Sequence, residues 1–316
     1  MYEFPYKDAH KLIANISNQP PVIISCAITG GMHGKELNPN LPESLEEQVQ
    51  AAYDAYNAGA SMVHIHRRTA ADKSVTSSDP NEYIEVNRLI REKCPDLIIN
   101  NTGGGGPGMT AEQRAASVFA KPEVMTVDVA CWPIHTVFKA RPAPLDGRKE
   151  DTLVDTAATL TISEAEYFLE KMRENDVVPE IELFDTGNFY YVNHLLKKGL
   201  LKAPYWIQFV LGMGNASFPT VKHMIEMLDY VPENSTVGIV AVGASQIPLI
   251  TVGLAMGLHI RVGLEDNLYE SKGVLAKSNA QMVEKAVQLA KAVGRPVATP
   301  AQAREMMGVA ATPRKW

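Results

Sequence analysis

His64 and His66 stand one residue apart at the end of a β-rich run, Ser61-Met62-Val63-His64-Ile65-His66, and Arg67 and Arg68 follow. In a strand, residues i and i+2 point to one side, about 6.6 Å apart along the chain. Two imidazoles on one face can therefore converge on one metal ion. A second run of this kind ends Arg261-Val262-Gly263-Leu264-Glu265-Asp266-Asn267. Brought opposite the histidines, Glu265 completes a two-histidine, one-carboxylate set with an open position, as catalytic zinc sites have. Asp266 is then free to act as a base, and Arg261 to hold an anion or tune that base.

Three further strand ends carry usable chemistry. Asn100-Asn101-Thr102 runs into Gly103-Gly104-Gly105-Gly106-Pro107-Gly108. Glycines let backbone N–H groups approach a carboxylate or phosphate closely, and a helix after them adds a positive dipole end. Glu180, Glu182 and Phe184 share one face of the run Pro179 to Phe184. Facing inward, two acids need partners or a function; facing outward, they need salt bridges. Gly212-Met213-Gly214-Asn215 forms a second glycine turn with room for a bulky cofactor. Cys26, Cys131 and the lone His33 read as packing or surface residues.

These residues need a scaffold of alternating strands and helices. Strands are expected at Val22–Ala27, Ser61–His66, Leu97–Asn101, Glu123–Val127, Glu180–Phe184, Trp206–Leu211, Thr236–Val242 and His259–Gly263. Helices are expected at Leu45–Ala58, Tyr83–Lys93, Thr110–Ala120, Ser163–Asn175, Asn188–Lys198, Pro219–Leu228, Gln246–Met256 and Asn279–Val293. Ser44 with Glu47 and Ser163 with Glu166 have capping-box spacing. Eight strand–helix units predict an α/β (β/α)₈ TIM barrel, with a doubly wound open sheet as the second choice. Trp132–Leu160, which holds Pro133, Pro142 and Pro144, is expected as a long irregular insertion after strand four. Residues 1–316 are read as one domain with an N-terminal extension over 1–20 and a C-terminal tail from about 295.

Composition narrows the class. The 316 residues are 46% hydrophobic with a net charge of -6, so the chain is not disordered. No Lys/Arg run offers a nucleic-acid footprint, so no nucleic-acid partner is expected. Asn234 to Ile260 lacks charged side chains apart from His259 but contains Gln246 and Pro248, and reads as strand, helix and strand rather than a membrane span. Three scattered cysteines and no signal peptide predict a cytoplasmic protein without disulfides.

Taken together, the chain resembles the β-keto acid cleavage enzyme family from about Val22 to Gly294. The resemblance rests on Ala27-Ile28-Thr29-Gly30, Asn38-Pro39-Asn40-Leu41-Pro42, His64-Ile65-His66-Arg67-Arg68, Asn101-Thr102-Gly103-Gly104, Pro179-Glu180, Phe184-Asp185-Thr186-Gly187 and Arg261 through Asn267. It implies a TIM barrel, usually oligomeric (a tetramer is expected here), with Zn2+ or another divalent ion on His64, His66 and Glu265. It implies Asp266 as general base, Arg261 as its aid, and Asn101, Thr102, Gly103 and Gly104 about the substrate carboxylate. The implied reaction turns a β-keto acid and acetyl-CoA into acetoacetate and a new acyl-CoA. Met32 stands where an acid suits an amino-tailed substrate, so an apolar or differently charged tail is expected. The end of strand four, Asp128-Val129-Ala130-Cys131, departs from the family pattern, and no role is carried over to it.

Two other readings follow from the same residues. A metal barrel hydrolase, lyase or aldolase would act without acetyl-CoA. A non-catalytic metal- or ligand-binding barrel would lose nothing but affinity on Asp266→Asn. Arg141, Arg148 and Lys149 in the long insertion are candidates for CoA phosphates or for a subunit contact.

Overall fold

The computed structural model describes residues 10, 13, 14, 18–106 and 108–316. Eight parallel strands close a barrel: β1 (Ile24–Ala27), β2 (Met62–Ile65), β3 (Ile98–Asn101), β4 (Val124–Asp128), β7 (Val178–Leu183), β8 (Tyr205–Leu211), β9 (Ser235–Ala241) and β10 (His259–Val262). β1 lies between β2 and β10, with Ala27 opposite His64 and Ser25 opposite Arg261. That adjacency brings the two sequence-distant chemical runs together.

Outward-pointing Val63, Ile65, Ile99, Val127, Ile181, Leu183, Ile207, Phe209 and Ile239 are buried against the helices. The inner face is layered. Ile23, Met62, Ile98, Val124 and Trp206 form an apolar floor. Ser25, His64, Asn100, Thr126, Glu180, Gln208 and Arg261 make a polar layer above it, all buried. The mouth carries Asp128 and Glu182 beside the apolar Phe184, Val210 and Val240.

Local chemistry sets the helix starts. The helix α1 (Leu45–Ala58) has the expected Ser44–Glu47 capping box. The helix α2 (Pro80–Lys93) begins three residues early, because Asp79 caps it and Pro80 fits its first position. The α-helical part of the next segment is short (α3, Ala111–Ala115) and continues as 3₁₀ helix to Ala120. The helix α4 (Ile162–Glu174) is capped by Thr161 with Glu164, not by Ser163 with Glu166. Both spacings satisfy the capping pattern, and the earlier one wins.

The insertion after β4 is ordered. Cys131–Phe138 (β5) and Thr152–Thr159 (β6) pair antiparallel over eight residues each, β5 running outward from the barrel mouth and β6 returning to it. The irregular chain expected there is confined to the tip. Pro133 is tolerated because a two-stranded ribbon has free edges. Residues after 295 also hold structure. The helix α9 (Pro300–Met307) packs Ala303 and Met307 under the barrel floor. Between them come α5 (Phe189–Lys197), α6 (Val221–Leu228), α7 (Gln246–Ala255) and α8 (Asn279–Ala292). Asn234 to Ile260 divides into β9, α7 and β10 as expected, and no helix among the described residues is long and apolar enough to cross a membrane.

Candidate active site

The chain reverses sharply after β10, and this turn sets Glu265. Gly263 has φ +131°, and a Cβ there would lie 2.1 Å from the Ala27 carbonyl oxygen. Gly30 leaves the same room on the other side, where a Cβ would meet the Glu265 side chain at 2.7 Å. Glycine is therefore required at both positions for the carboxylate to reach the barrel axis. There its Oε1 lies 3.6 Å from His64 Nε2 and 3.4 Å from His66 Nε2.

One ligand atom from each of the three residues falls within 4.8 Å of the others. A tetrahedral ion bound at about 2.05 Å needs ligand atoms about 3.3 Å apart, so this trio fits a zinc-sized ion. Glu265 Oε2 is buried and unpartnered, which leaves it free to bind as well. Burial drives His64 well below the ordinary imidazole range, and neutral imidazole is the ligating form.

Arg261 organises the acids beside this trio. Its Nε and Nη2 donate to Asp266 Oδ2 and Oδ1, both at 2.9 Å. Nη1 donates to Glu182 Oε1 at 2.9 Å, and Nη2 to Glu265 Oε1 at 2.6 Å. One guanidinium thus serves three buried carboxylates. Burial pushes Asp266 up, Arg261 opposes it and Glu265 adds to it, leaving Asp266 at about 6. Burial, with Asp128 and Glu180 nearby, drives Glu182 well above the carboxylate range against the pull of Arg261. Burial would raise Glu265 too, but Arg261, His66 and His64 outweigh it and hold Glu265 well below that range.

A cavity of about 540 Å³ opens from this cluster to the barrel mouth. His64, His66, Glu265, Asp266, Arg261, Glu182 and Asp128 lie at its base, and Met32, Thr102 and Gly104 line it. Asn101 and Gly103 do not: the strand register turns Asn101 outward with Ile65 and Met125. The glycine loop is less free than its composition suggests. Gly104 and Gly105 N–H donate to Thr102 Oγ1, and Gly103 N–H donates to Thr126 Oγ1. The upper wall is apolar, with Trp132 stacked on Phe184 at 4.2 Å and Met213 beside them.

Other candidates separate from the site. Arg141 is buried and clamped to Glu43 at 2.8 Å and to Glu36, and Arg148 also meets Glu36. Neither Arg141 nor Arg148 is a free cation for a phosphate. Cys26 faces the helices and burial drives its thiol up, so it is a packing residue. Burial lowers His33 below the ordinary imidazole value, and its Nε2 lies 3.3 Å from the Leu264 carbonyl oxygen. Sequence reasoning left the direction of Glu182 open and passed over Asp128. Both alternate with apolar neighbours, Ile181 and Leu183, and Val127 and Val129. In a barrel wrapped by helices, that pattern turns the acids inward.

The fold and this cluster define a barrel enzyme with a two-histidine, one-glutamate site and an adjoining arginine–aspartate pair. The chain belongs to the beta-keto acid cleavage enzyme family, whose model matches residues 21–309. It is 36% identical over 288 residues to the 3-keto-5-aminohexanoate cleavage enzyme of Acetoanaerobium sticklandii, covering 91% of this chain and 98% of that one. It is 33% identical over 296 residues to the 3,5-dioxohexanoate:acetyl-CoA acetone transferase of Paraburkholderia graminis, covering 90% and 95%. Among solved structures, apo ObcA superposes with a TM-score of 0.66 at 19% identity, covering 86% of this chain and 66% of that one.

Proposed function

We propose that this protein converts a β-keto acid and acetyl-CoA into acetoacetate and a new acyl-CoA. The observation that carries the reading is the buried Asp266 carboxylate, held at about 6 beside the His64–His66–Glu265 trio by a bidentate Arg261. A group with that value works as a base near neutral pH. His64, His66 and Glu265 would hold a divalent ion, zinc foremost, which would supply Lewis acidity to the substrate.

The rest falls to the chain. Thr102 and Gly104, which line the cavity, orient the substrate carboxylate. Asp266 takes a proton from C2, and Arg261 keeps the Asp266 oxygens aimed at it. The C2 carbanion attacks the acetyl carbonyl of acetyl-CoA and expels the CoA thiolate. The thiolate attacks the substrate ketone, and the C2–C3 bond breaks. The electron pair returns to C2 and Asp266 gives back the proton, releasing acetoacetate and the acyl-CoA. The apolar wall of Met32, Trp132, Phe184 and Met213 supports a substrate tail other than the 5-amino one.

A cytoplasmic site of action is supported by three free cysteines. A homo-oligomer, a tetramer by expectation, is supported by strongly exposed Tyr190 and Phe218. The test is acetoacetate formation by the zinc-loaded protein from β-keto acids with amino, carboxy, trimethylammonio and alkyl tails. Product is expected only when acetyl-CoA is present, with alkyl tails preferred over amino. Product without acetyl-CoA would move the assignment to a simple metal lyase.

A further inference from the structure

The polar layer beneath the site contains seven buried atoms with no hydrogen-bond partner: Ser25 Oγ, Gln208 Oε1, Gln208 Nε2, His64 Nδ1, Asn100 Oδ1, Asn100 Nδ2 and Glu180 Oε1. Orphaned polar atoms are costly inside a protein and need a reason, above all the four on His64, Asn100 and Glu180. Their chemistry is complementary in order. A protonated imidazole Nδ1 donates, an amide oxygen accepts, an amide nitrogen donates and a carboxylate oxygen accepts.

The neighbours agree. His64 is the register partner of Asn100. The Asn100 amide lies within reach of both the His64 imidazole and the Glu180 carboxyl. Glu180 is fixed from its far side, where Trp206 Nε1 donates to Oε2. His64 meanwhile presents its other nitrogen, Nε2, to Glu265.

We propose that Glu180, acting through the Asn100 amide, is a positioning residue for His64 that fixes the Nδ1–H tautomer and so keeps Nε2 available to a metal. Asn100 is the link: it accepts from the imidazole and donates to the carboxylate. The inference rests on the reading of His64 as a metal ligand. Partners behind a ligating histidine set its tautomer and ring orientation, and losing one costs about 10- to 100-fold in metal affinity.

The test is Zn2+ affinity measured against a chromogenic chelator, with thermal unfolding of the metal-free protein alongside. Asn100→Leu and Glu180→Gln keep the side-chain branching and heavy-atom count and interrupt the relay at two different points. Each is expected to weaken Zn2+ binding about 10- to 100-fold and to shift the visible spectrum of the Co2+-loaded protein. Thr236→Val is the comparison: it lies on the inner face near the floor and donates to the Met306 carbonyl oxygen. It is expected to lower the unfolding temperature without changing Zn2+ affinity. Affinities within twofold of wild type in both relay variants would overturn the inference while leaving the metal site intact. So would an affinity loss that merely tracks unfolding temperature across all three variants. Absence of Zn2+ binding by the unsubstituted protein would overturn the metal site itself.

Discussion

Arg141 and Arg261 are both buried, and each meets more than one carboxylate. Around Arg141 the charges match. Glu36 and Glu43 face Arg141 and Arg148, and Glu43 is held in a two-pronged contact at 2.9 and 2.8 Å. This cluster ties the tip of the β5–β6 hairpin to the loop after β1. Around Arg261 the charges do not match, since Glu182, Glu265 and Asp266 share one guanidinium. The surplus negative charge is where a cation is wanted, and it is also what frees one carboxylate to work near neutral pH. A matched buried cluster braces the fold; a mismatched one is poised for chemistry.

Substitutions at the mismatched cluster should have the largest effects. Glu265→Gln is expected to remove bound metal and lower acetoacetate production by about 10³-fold, read by metal analysis and a coupled assay. Asp266→Asn should keep the metal and lower kcat by about 10²- to 10⁴-fold. Metal retention with full activity in Glu265→Gln would break the contrast at its root. At the matched cluster, Arg141→Met strands the buried Glu43 and leaves Glu36 with Arg148 alone. It should cost about 3–5 kcal/mol in urea unfolding yet leave metal content unchanged. Metal loss there, with stability intact, would show that the clamp belongs to the site.

Between the clusters lies the tail pocket. Met32→Glu should raise kcat/KM for an amino-tailed β-keto acid about tenfold relative to an alkyl-tailed one, or about 1.4 kcal/mol of discrimination. The smallest effect is at the floor. His259 accepts from Ile23 N–H through Nδ1 at 2.9 Å, and burial, with Arg295 adding to it, lowers it to about 3. The unfolded chain takes up that proton near 6.5, so the stability His259 provides is complete above 6.5 and lost as pH falls through about 3. His259→Gln, which does not titrate, should flatten that part of the acid unfolding curve.

Much of this architecture could be read from residue order. His64, His66 and Glu265 could be joined before the structure because first and last strands meet in a closed barrel, with the second beside the first. Alternation marked the eight strands, and glycine marked the turn before Glu265. The hairpin was hidden because Pro133, Pro142 and Pro144 are breakers by local rules, whereas an isolated ribbon tolerates a proline at its edge. Glu182 was hidden because period-two alternation defines a face without saying which face is inside; its apolar neighbours Ile181 and Leu183 supply that answer. The helix under the floor was signalled by Thr299-Pro300 with Gln302, a capping box with proline at the first helical position. That Gly104 and Gly105 give their N–H groups to Thr102 depends on one hydroxyl rotamer, which sequence does not encode legibly.

The hairpin leaves no mark on the barrel that carries it. β4 pairs with β7 continuously from Val124↔Val178 to Asp128↔Glu182, as though nothing intervened. Both ends of the insertion meet at one point, where Leu160 N–H donates to the Ala130 carbonyl oxygen at 3.1 Å. The segment between them is therefore an exchangeable cassette. Its length and inward side chains can change without moving Asp128 or Glu182, provided the Arg141 anchor is kept. A chimera swapped at Ala130 and Leu160 would thus exchange Trp132 and the hairpin wall of the pocket while keeping the catalytic cluster, with Met32, Phe184 and Met213, of the other parent.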